Sequence, residues 1–283
     1  MTDASRTLLI TGCSSGIGHH CAHALKARGW RVFATARRAE DVARLREEGL
    51  ESLPLDIADP VSIRAAVAEI LARCNGRLDG LFNNAGFGLP GAVEDLSRAA
   101  LREQFETNVM GTLEVTNAVL PAMRRAGQGR ILVNSSVLGF ISLPYRGAYN
   151  ASKYALEALF DALRLELADT GIRVSLIEPG PIRSRFRDNA HAAFRRHIDP
   201  QQSRHRAVYE GMIRRLERPG PAAPFTLGPE AVTERVIHAL ENRHPRPRYF
   251  VTFPTWLFAG LRRVLTTRML DRVLLAVSRR ENR

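Results

Sequence analysis

A tyrosine and a lysine four positions apart, Tyr149 and Lys153, have the spacing that points most directly to chemistry. The run from Ala148 to Thr170 carries apolar residues at steps of three and four, which predicts a helix. Residues i and i+4 of a helix share one face, so the phenol and the ammonium are expected to lie side by side. An ammonium favours the phenolate, so we expect the tyrosine's pKa to fall from about 10 toward neutral. Such a tyrosine can give a proton to a ketone or take one from an alcohol.

The use of lysine at position 153 is unusual for this chain. Of its 41 basic residues only Lys26 and Lys153 are lysine, and all the others are arginine. Arginine presents a broad guanidinium that keeps its charge, whereas lysine presents a compact charge on a flexible stem. Tyr-x-x-x-Lys also occurs on ordinary solvated helices, but the rarity of lysine here favours a chemical requirement.

A glycine-rich turn near the start of the chain has the form of a dinucleotide site. An apolar strand is predicted over Thr7 to Ile10, and after the turn a helix runs to Gly29. This arrangement suits a pyrophosphate, because glycines let the backbone approach it and the helix start offers N–H groups with a partial positive charge. The three residues between the first two glycines differ from the commoner Gly-x-Gly-x-x-Gly spacing. The cofactor contacts expected in this turn are Gly12, Ser14, Ser15, Gly16, Ile17 and Gly18.

The end of the second predicted strand, Arg31 to Ala36, indicates which dinucleotide binds. An acidic side chain at this point would bind the ribose 2′-hydroxyl of NAD. Here Ala36 is followed by two arginines, so a 2′-phosphate would meet no carboxylate and would find the guanidinium of Arg37. NADP is therefore predicted, with NAD the less favoured cofactor, and Ser15 is expected to add a hydroxyl contact.

Strands and helices alternate along the chain, which predicts an α/β fold with one parallel, doubly wound sheet and helices on both faces. The third predicted strand ends at Asp56-Ile57, where a carboxylate can accept a hydrogen bond from an adenine amino group. The fifth, Arg130 to Asn134, runs into Ser135-Ser136, and Ser136 is thirteen residues before Tyr149, so the two side chains can converge on one carbonyl oxygen. Asn108 lies among apolar neighbours in a long helical region, where its amide is a candidate to hold a water.

Together these residues resemble the short-chain dehydrogenase/reductase family. The resemblance spans about residues 7–184 and includes the glycine turn, the Asn-Asn-Ala-Gly run that ends at Gly86, and Pro179-Gly180. It implies a Rossmann-fold, NAD(P)-dependent oxidoreductase with four catalytic residues, Asn108, Ser136, Tyr149 and Lys153. The further cofactor contacts that it implies are Asn83, Ala85, Gly86, Tyr149, Lys153, Pro179, Gly180, Ile182 and Ser184, the last of which is usually threonine in the family.

The resemblance also implies a role for each catalytic residue. Tyr149 would be the general acid/base, and Ser136 would hydrogen-bond the substrate oxygen. Lys153 would bind the nicotinamide ribose and lower the tyrosine's pKa, while Asn108 would anchor a water that relays protons.

Finer motifs resemble the branch that contains 17-beta-hydroxysteroid dehydrogenase type 1 and the retinol dehydrogenases. Leu143-Pro144, Glu178-Pro179-Gly180-Pro181 and Arg248-Tyr249-Phe250 carry this likeness. It implies large apolar alcohols and ketones as substrates and a homodimer or homotetramer, but the identity of the substrate depends on loops outside these motifs. Five side chains near the catalytic stretches fit an apolar pocket and fit ordinary core packing equally well, namely Phe87, Phe140, Leu143, Tyr145 and Phe186.

Composition argues against several other classes of protein. The formal net charge of +12 admits nucleic acid, an anionic membrane surface or a phosphorylated ligand, but the arginines are scattered and no nucleic-acid-binding motif appears. We therefore expect no nucleic-acid partner. The three cysteines and the histidines of residues 183–227 lack metal-ligand spacing, and His19 and His23, at i and i+4, are expected to pack as neutral side chains beside the glycine turn, so no metal site is predicted. The short polar start and the odd number of cysteines favour a reduced, cytoplasmic location.

A catalytic domain is predicted over residues 1–253. One further feature is expected within this domain and another after it. Residues 183–227 are expected to form one or two lid helices over the substrate. Residues 254–283 carry apolar residues at helical spacing with arginines between them, which predicts an amphipathic helical extension. Its charges recur too often for a transmembrane span of about 20 mostly apolar residues. Such a helix fits a peripheral membrane contact, a cover over the active site or a subunit interface, and the sequence leaves these open.

Two functions of different kinds fit these patterns. The first is an NADP-preferring oxidoreductase that transfers hydride between nicotinamide and an apolar ketone or secondary alcohol, which would be steroid-, retinoid- or lipid-like. The alternative is a non-catalytic NADP-binding sensor or interaction protein that keeps the fold. The intact set of catalytic residue types favours the enzyme.

Overall fold

The computed structural model describes residues 6–217, 220 and 223–281. Across this part of the chain the strands are β1 Thr7–Ile10, β2 Arg31–Ala36, β3 Glu51–Pro54, β4 Gly80–Asn83, β5 Gly129–Asn134, β6 Ile172–Glu178 and β7 Arg248–Phe250. They form one seven-stranded parallel sheet in the order β3-β2-β1-β4-β5-β6-β7. The predicted doubly wound α/β fold is therefore confirmed.

Helices connect the strands and extend beyond the sheet. Those in the described residues are α1 Gly16–Ala27, α2 Ala39–Glu47, α3 Pro60–Arg73, α4 Arg98–Phe105, α5 Thr112–Ala126, α6 Gly147–Glu166, α7 Phe186–His197, α8 Arg206–Glu217, α9 Pro229–Glu241, α10 Phe253–Val264 and α11 Thr267–Glu281. Helix α3 begins as its sequence predicts, since the Asp59 side chain caps it by accepting from the Val61 N–H at 2.9 Å, and Pro60 occupies the first position.

Both faces of the sheet are buried, and successive strand residues face opposite layers of the core. Leu9 and Leu81 pack with residues of α3, α5 and α6 on one face. Leu8 and Phe82 pack with residues of α1 and α9 on the other. This alternation follows from the two-residue period of a strand, and it decides which side of the sheet each polar residue at a strand end faces.

The order of the strands fixes where a ligand can bind. The chain runs outward from β1 to β2 and β3, then returns to place β4 on the other side of β1. The loops after β1 and β4 therefore diverge and leave a crevice at the carboxyl ends of the strands. In open α/β sheets such a switch point is where ligands bind.

The long helical region predicted from residue 97 to residue 125 is interrupted. A wider, π-helical segment, Glu106–Gly111, separates α4 from α5 and contains Asn108. Gly111 packs against the loop after β3 so closely that an added Cβ would lie 1.8 Å from the Ile57 carbonyl oxygen. Single π-helical turns of this kind occur often at functional sites.

In the described residues, the predicted lid and the predicted C-terminal extension each contain two helices. The lid contains α7 and α8, and its two ends are held together where Ile182 pairs with Leu227. The extension was predicted as one amphipathic stretch but divides into α10 and α11, because Leu265 has an extended backbone and ends the first helix. Buried Phe258 and Leu274 pack these helices onto Phe140 and Leu143. No helix in the described ranges has the length and apolar character needed to cross a membrane.

Candidate active site

Tyr149 and Lys153 lie on the first two turns of α6, on one face of the helix. The Lys153 ammonium is 5.6 Å from the centre of the Tyr149 ring. Its Nζ donates to the main-chain carbonyl of Asn134, at the end of β5, at 2.6 Å. The lysine side chain is almost completely buried, at 6% exposure, so that carbonyl holds a cation that water scarcely reaches. The predicted spacing thus brings the two groups together.

Ser136 approaches the tyrosine from the loop after β5. Its side chain accepts from the Leu138 N–H at 3.1 Å, which caps a short 3₁₀ turn and fixes the serine. The same side chain lies close enough to the Tyr149 phenol to act to lower its pKa. A strand end and a helix start separated by thirteen residues therefore meet at one point, as the sequence predicts.

The protonation of the pair differs from what the sequence predicts. Part of the Tyr149 ring reaches the surface, but burial of its phenol raises the pKa to about 12, although Ser136 and the charge of Arg146 act to lower it. Burial likewise lowers the pKa of Lys153 to about 8, against the opposing effect of Glu157. The expected lowering of the tyrosine's pKa was wrong for this structure, because loss of water around the phenol outweighs the opposing effects of Ser136 and Arg146.

Asn108 is a positioning group in this structure. Its Nδ2 donates to the Phe87 carbonyl at 2.9 Å and to the Ser152 hydroxyl at 3.1 Å, and its Oδ1 accepts from the Phe87 N–H at 3.1 Å. Both amide hydrogens are used within the protein, so a water could bind the side chain only through Oδ1, and the water-holding role stays a prediction. The side chain fixes the loop after β4 beside α6.

The glycine turn has a conformation that side chains would block. Gly12 has a φ of +71°, and a Cβ there would lie 2.8 Å from the Ala85 Cα. A Cβ on Gly18 would lie 2.4 Å from the Gly12 carbonyl oxygen. Gly16 also has a positive φ, and its Cβ would lie 2.8 Å from that of Ser184. These glycines therefore allow backbone and ligand to approach closely, which fits the turn to a dinucleotide.

Three residues that hold this turn were not predicted from the sequence. The Thr11 hydroxyl accepts from the N–H groups of Asn84 and Ala85, both at 3.0 Å. The Asn84 amide donates to the carbonyls of Thr11 and Gly12, also at 3.0 Å. Asn134 donates to Asn84 Oδ1 at 3.1 Å. Because Lys153 binds the carbonyl of Asn134, a continuous chain of contacts joins the glycine turn to Lys153.

Asn83 was predicted as a cofactor contact, but its side chain lies elsewhere. It is buried and donates to the Thr116 hydroxyl on α5 at 2.9 Å. Asn83 shares the face of β4 with Leu81, which packs against α5, whereas Asn84 lies on the side of the glycine turn. The two-residue period of a strand identifies Asn84 as the residue at the turn.

The end of β2 forms one wall of a polar groove. Arg38 is ion-paired with Glu40 and Asp41, each at 3.1 Å. Within the described residues Arg37 has no ion pair or side-chain hydrogen bond, and it faces the groove together with Ser15. Ser15 precedes α1 without capping it, so its hydroxyl is available to a ligand. These two residues therefore fit the 2′-phosphate of NADP.

The other predicted cofactor residues lie in the segments that follow β1, β3, β4 and β6. Asp56 accepts from the Ala58 N–H at 3.0 Å and leaves its second oxygen for a ligand. Pro179 accepts from Val137, Gly180 abuts the Thr252 hydroxyl, and Ser184 lies against Gly16. Four more were expected to contact the cofactor. Gly86 abuts the Asn108 amide, Ala85 and Ile17 pack on the core, and Ile182 pairs with Leu227 at the base of the lid.

Comparison with known proteins decides the family. The family model described as short chain dehydrogenase matches residues 6–193. The chain belongs to the short-chain dehydrogenase family. It is 46% identical over 269 residues to the protein named uncharacterized oxidoreductase YbbO from Escherichia coli (strain K12), covering 95% of this chain and 94% of that protein. It is 37% identical over 263 residues to human 17-beta-hydroxysteroid dehydrogenase type 1, covering 88% and 78%.

A solved structure supports the same assignment. The short chain dehydrogenase/reductase from Burkholderia phymatum in complex with NAD is 25% identical, with a TM-score of 0.76, and the match covers 91% of this chain and 92% of that one. The predicted membership and the oxidoreductase class are thus confirmed.

The predicted pocket residues fall into separate groups in this short-chain dehydrogenase. Phe186, the first residue of α7, lies edge-on to Tyr149, with ring centres 5.4 Å apart. Phe140 and Leu143 belong to the cluster under the extension, which Tyr149 borders. The other two lie away from these contacts. Phe87 packs with Leu89 and Ala193, and Tyr145 packs against His205 and Tyr209 beneath the lid.

A buried charged cluster behind Lys153 was not predicted. Glu157, one helical turn after the lysine, accepts from the Ser135 hydroxyl and from Arg248 of β7. Arg248 also donates to Glu178 at 2.6 Å and to Asp161 on α6. Burial raises the pKa of Glu157 and of Glu178, and Arg248 opposes that rise. Only the Arg-Tyr-Phe sequence of β7, already singled out as a family motif, signals this cluster.

The histidines of the lid pair with separate carboxylates. His197 contacts Glu103 and His205 contacts Glu94, each at 2.5 Å. On α1, His19 and His23 both contact Glu48 Oε2, at 2.7 and 2.8 Å. These last three form a group with ligand atoms within 4.8 Å of one another. The absence of a metal site stays a prediction.

Replacement of Lys153 by Met should stabilise the protein near neutral pH, measured without added cofactor. An unfolded lysine has a pKa of about 10.4, whereas that of folded Lys153 is about 8. Below pH 8 the parent therefore carries a constant penalty, which shrinks as pH rises from about 8 to about 10.4. Allowing for the lost bond to Asn134, we expect the variant to be about 2 kcal/mol more stable at pH 7.

Urea unfolding followed by circular dichroism at pH 7 and pH 10 measures this difference. Lys26→Met is the matched control, since Lys26 is exposed and should show no such pH-dependent gain. A Lys153→Met protein less stable than the parent at pH 7 would contradict the assigned effect of burial.

Proposed function

We propose that this protein is an NADP-preferring oxidoreductase that interconverts an apolar ketone and the corresponding secondary alcohol. The observation that carries the proposal is the meeting of the Ser136 hydroxyl and the Tyr149 phenol beside buried Lys153. The hydrogen-bond chain from the glycine turn to Lys153 supports it, because it joins the proposed cofactor turn to the proton-transfer group. Phe186 against Tyr149 favours an apolar substrate.

Proton transfer at one oxygen is the chemistry of these residues. When bound, the nicotinamide dinucleotide supplies or accepts the hydride. Tyr149 gives its phenolic proton to the substrate oxygen in reduction and takes it back in oxidation. Ser136 donates a hydrogen bond to the same oxygen. With a pKa of about 12 the phenol is protonated at neutral pH, which suits the reduction of a ketone.

The charges at the end of β2 favour NADP over NAD. Arg37 is exposed and unpaired within the described residues, and no carboxylate takes the place of the acidic residue that binds the NAD ribose. The nearby Asp41 carboxylate is occupied by Arg38 and Arg44, at 3.1 and 3.0 Å. A 2′-phosphate would therefore meet a free guanidinium rather than a free carboxylate.

Tyr149→Phe should abolish turnover and leave cofactor binding unchanged. The variant keeps the ring and its packing but removes the proton, and general acid–base groups contribute about 10²–10⁴-fold to rates. NADPH oxidation with a panel of apolar ketones and a fluorescence titration of NADPH measure the two properties. Tyr154→Phe, on the next turn of α6, is the matched control and should keep full activity.

Two outcomes would count against the enzyme as proposed. Full activity in Tyr149→Phe would rule out its role as general acid/base. If the parent oxidises NADPH with none of the carbonyl compounds although it binds the cofactor, the non-catalytic sensor or interaction protein becomes the better assignment.

Arg37→Ala should lower the affinity for NADPH at least 10-fold and change that for NADH less than 2-fold. The reason is the loss of a charge-assisted hydrogen bond, worth about 1.5–3 kcal/mol, to a phosphate that only NADPH carries. Equilibrium titrations of both cofactors give the ratio, with Arg102→Ala as an exposed arginine control on α4. An unchanged ratio would refute the assigned role of the β2 end.

A second property, contact with an anionic lipid surface, is favoured by the outer face of the extension. Phe253, Trp256 and Leu257 of α10 are 57%, 55% and 42% exposed, and Phe225 packs beside Phe253 with ring centres 5.2 Å apart. Two exposed arginines, Arg262 and Arg263, lie at the other end of the same helix. Exposed aromatic side chains and cations on one helix suit the interface of an anionic bilayer. Trp256 also contacts Phe250, which contacts Phe140 in the cluster bordering Tyr149.

Sedimentation with vesicles tests this contact. The parent should bind vesicles rich in phosphatidylglycerol, bind phosphatidylcholine vesicles more weakly, and release at high salt. Replacing Phe253, Trp256 and Leu257 by Ser should lower binding at least 5-fold, whereas Val61→Ser, an exposed valine on α3, should not. Equal binding by the two variants would exclude the contact. If the triple variant instead changes the oligomeric state, the face is a subunit interface, and the homodimer or homotetramer expected from the family would use it.

A further inference from the structure

A polar groove of about 210 Å³ lies between the glycine turn and the start of the lid. One wall comes from the turn and from the end of β2, and the other from the residues that begin α7. The lining residues are Ser14, Ser15, Arg37, Arg38, Asp41, Arg185 and Asn189. The groove therefore joins the part of the protein proposed to bind the cofactor phosphate to the part that covers the substrate.

Two guanidinium groups that face this groove have no partner within the described residues. Arg38 and Arg44 are occupied by Asp41, and Arg44 also donates to the Ser14 carbonyl at 2.7 Å. Arg37 and Arg185 make no ion pair or side-chain hydrogen bond in this part of the chain. Two free cations on opposite walls of one groove match a dianionic phosphate, which can accept hydrogen bonds from both.

The residues on either side of Arg185 contact two different parts of the proposed site. Its predecessor, Ser184, lies against Gly16 of the glycine turn. The Ser184 hydroxyl accepts from the N–H of Phe186 at 3.3 Å, and the Phe186 ring lies edge-on to Tyr149. Arg185 thus stands between a residue that touches the phosphate turn and a residue that touches the catalytic tyrosine.

We propose that Arg185 is a second cofactor-phosphate residue, supplied by the lid. It binds the same 2′-phosphate as Arg37, and this contact fixes Phe186 over Tyr149. The inference rests on the proposed function, since it requires a cofactor with a 2′-phosphate. NADPH therefore fixes the start of the substrate lid more firmly than NADH does. The 2′-phosphate thus determines how well the apolar pocket is formed.

The affinity of Arg185→Ala for the two cofactors is the first test. We expect at least a 10-fold loss for NADPH and less than a 2-fold change for NADH, measured by fluorescence titration. Arg183→Ala is the matched control, because Arg183 is an exposed arginine two residues earlier that pairs with Glu230 at 3.8 Å instead of lining the groove. Arg185 is exposed, so the variant should fold normally, and circular dichroism checks that it does.

Comparison with Arg37→Ala separates the failure of this inference from the failure of the proposed function. If Arg37→Ala loses the preference for NADPH and Arg185→Ala keeps it, the lid contact is refuted and the proposed function stands. If neither variant alters the preference, the assignment of NADP itself fails. When both arginines bind one phosphate, the loss in the double variant should depart from the product of the single losses by more than 2-fold.

Trypsin digestion tests the effect on the lid directly. Helices α7 and α8 contain several arginines, and cleavage within a helix requires that it open locally. Saturating NADPH should slow cleavage in the lid at least 5-fold in the parent and in Arg183→Ala, and saturating NADH should slow it less. In Arg185→Ala the two cofactors should protect equally. Stronger protection by NADPH in Arg185→Ala would overturn the proposed coupling.

Discussion

Burial of the Lys153 ammonium is the constraint on which the rest of the site depends. A charge removed from water must find a fixed partner or lose its proton. Here the carbonyl of Asn134 receives the ammonium, while the Asn134 side chain holds Asn84 and through it the glycine turn. One residue at the end of β5 thus sets the lysine relative to the turn. A shift of β5 would therefore displace Lys153 and the glycine turn together.

The carboxylates behind Lys153 extend this constraint to the C-terminal strand. Glu157 acts to raise the lysine's pKa, but burial would protonate Glu157 itself unless a cation compensated. Arg248 of β7 is that cation, and it binds Glu178 of β6 as well. β7 lies beyond the segment that the family model matches, yet its arginine keeps negative charge next to the lysine. The charges around Lys153 thus depend on the position of β7, the last strand of the sheet.

Much of the fold could be predicted from the sequence because its signals are local. The strand at Thr7–Ile10 and the cap at Asp59 require only neighbouring residues to be recognised. The sequence spacing of Ser136, Tyr149 and Lys153 was also enough to predict that their side chains lie close together. The protonation state could not be predicted, because it depends on how much water the whole fold removes. The spacing of Tyr149 and Lys153 predicts that the two groups attract each other, but it says nothing about how deeply they are buried.

The side-chain position of Asn83 and the break within the C-terminal extension were not predicted, for different physical reasons. The position of Asn84 at the turn was recoverable, since β4 alternates between two faces and Leu81 already identifies the face of Asn83. The break between α10 and α11 has no comparable signal, because the apolar residues continue through Leu265 at helical spacing. There the chain bends so that Phe258 and Leu274 cover the same cluster, which a straight helix would not achieve.

The site is bounded by two apolar clusters that do not share residues. Tyr209 and Phe194 join α7 and α8 to the loop before α4, whereas Phe258 and Leu274 join the extension to the loop after β5. Tyr149 borders the extension cluster and also contacts Phe186, the first residue of α7. Because Arg185 directly precedes Phe186, a ligand that fixed Arg185 would also constrain the ring that lies against the tyrosine.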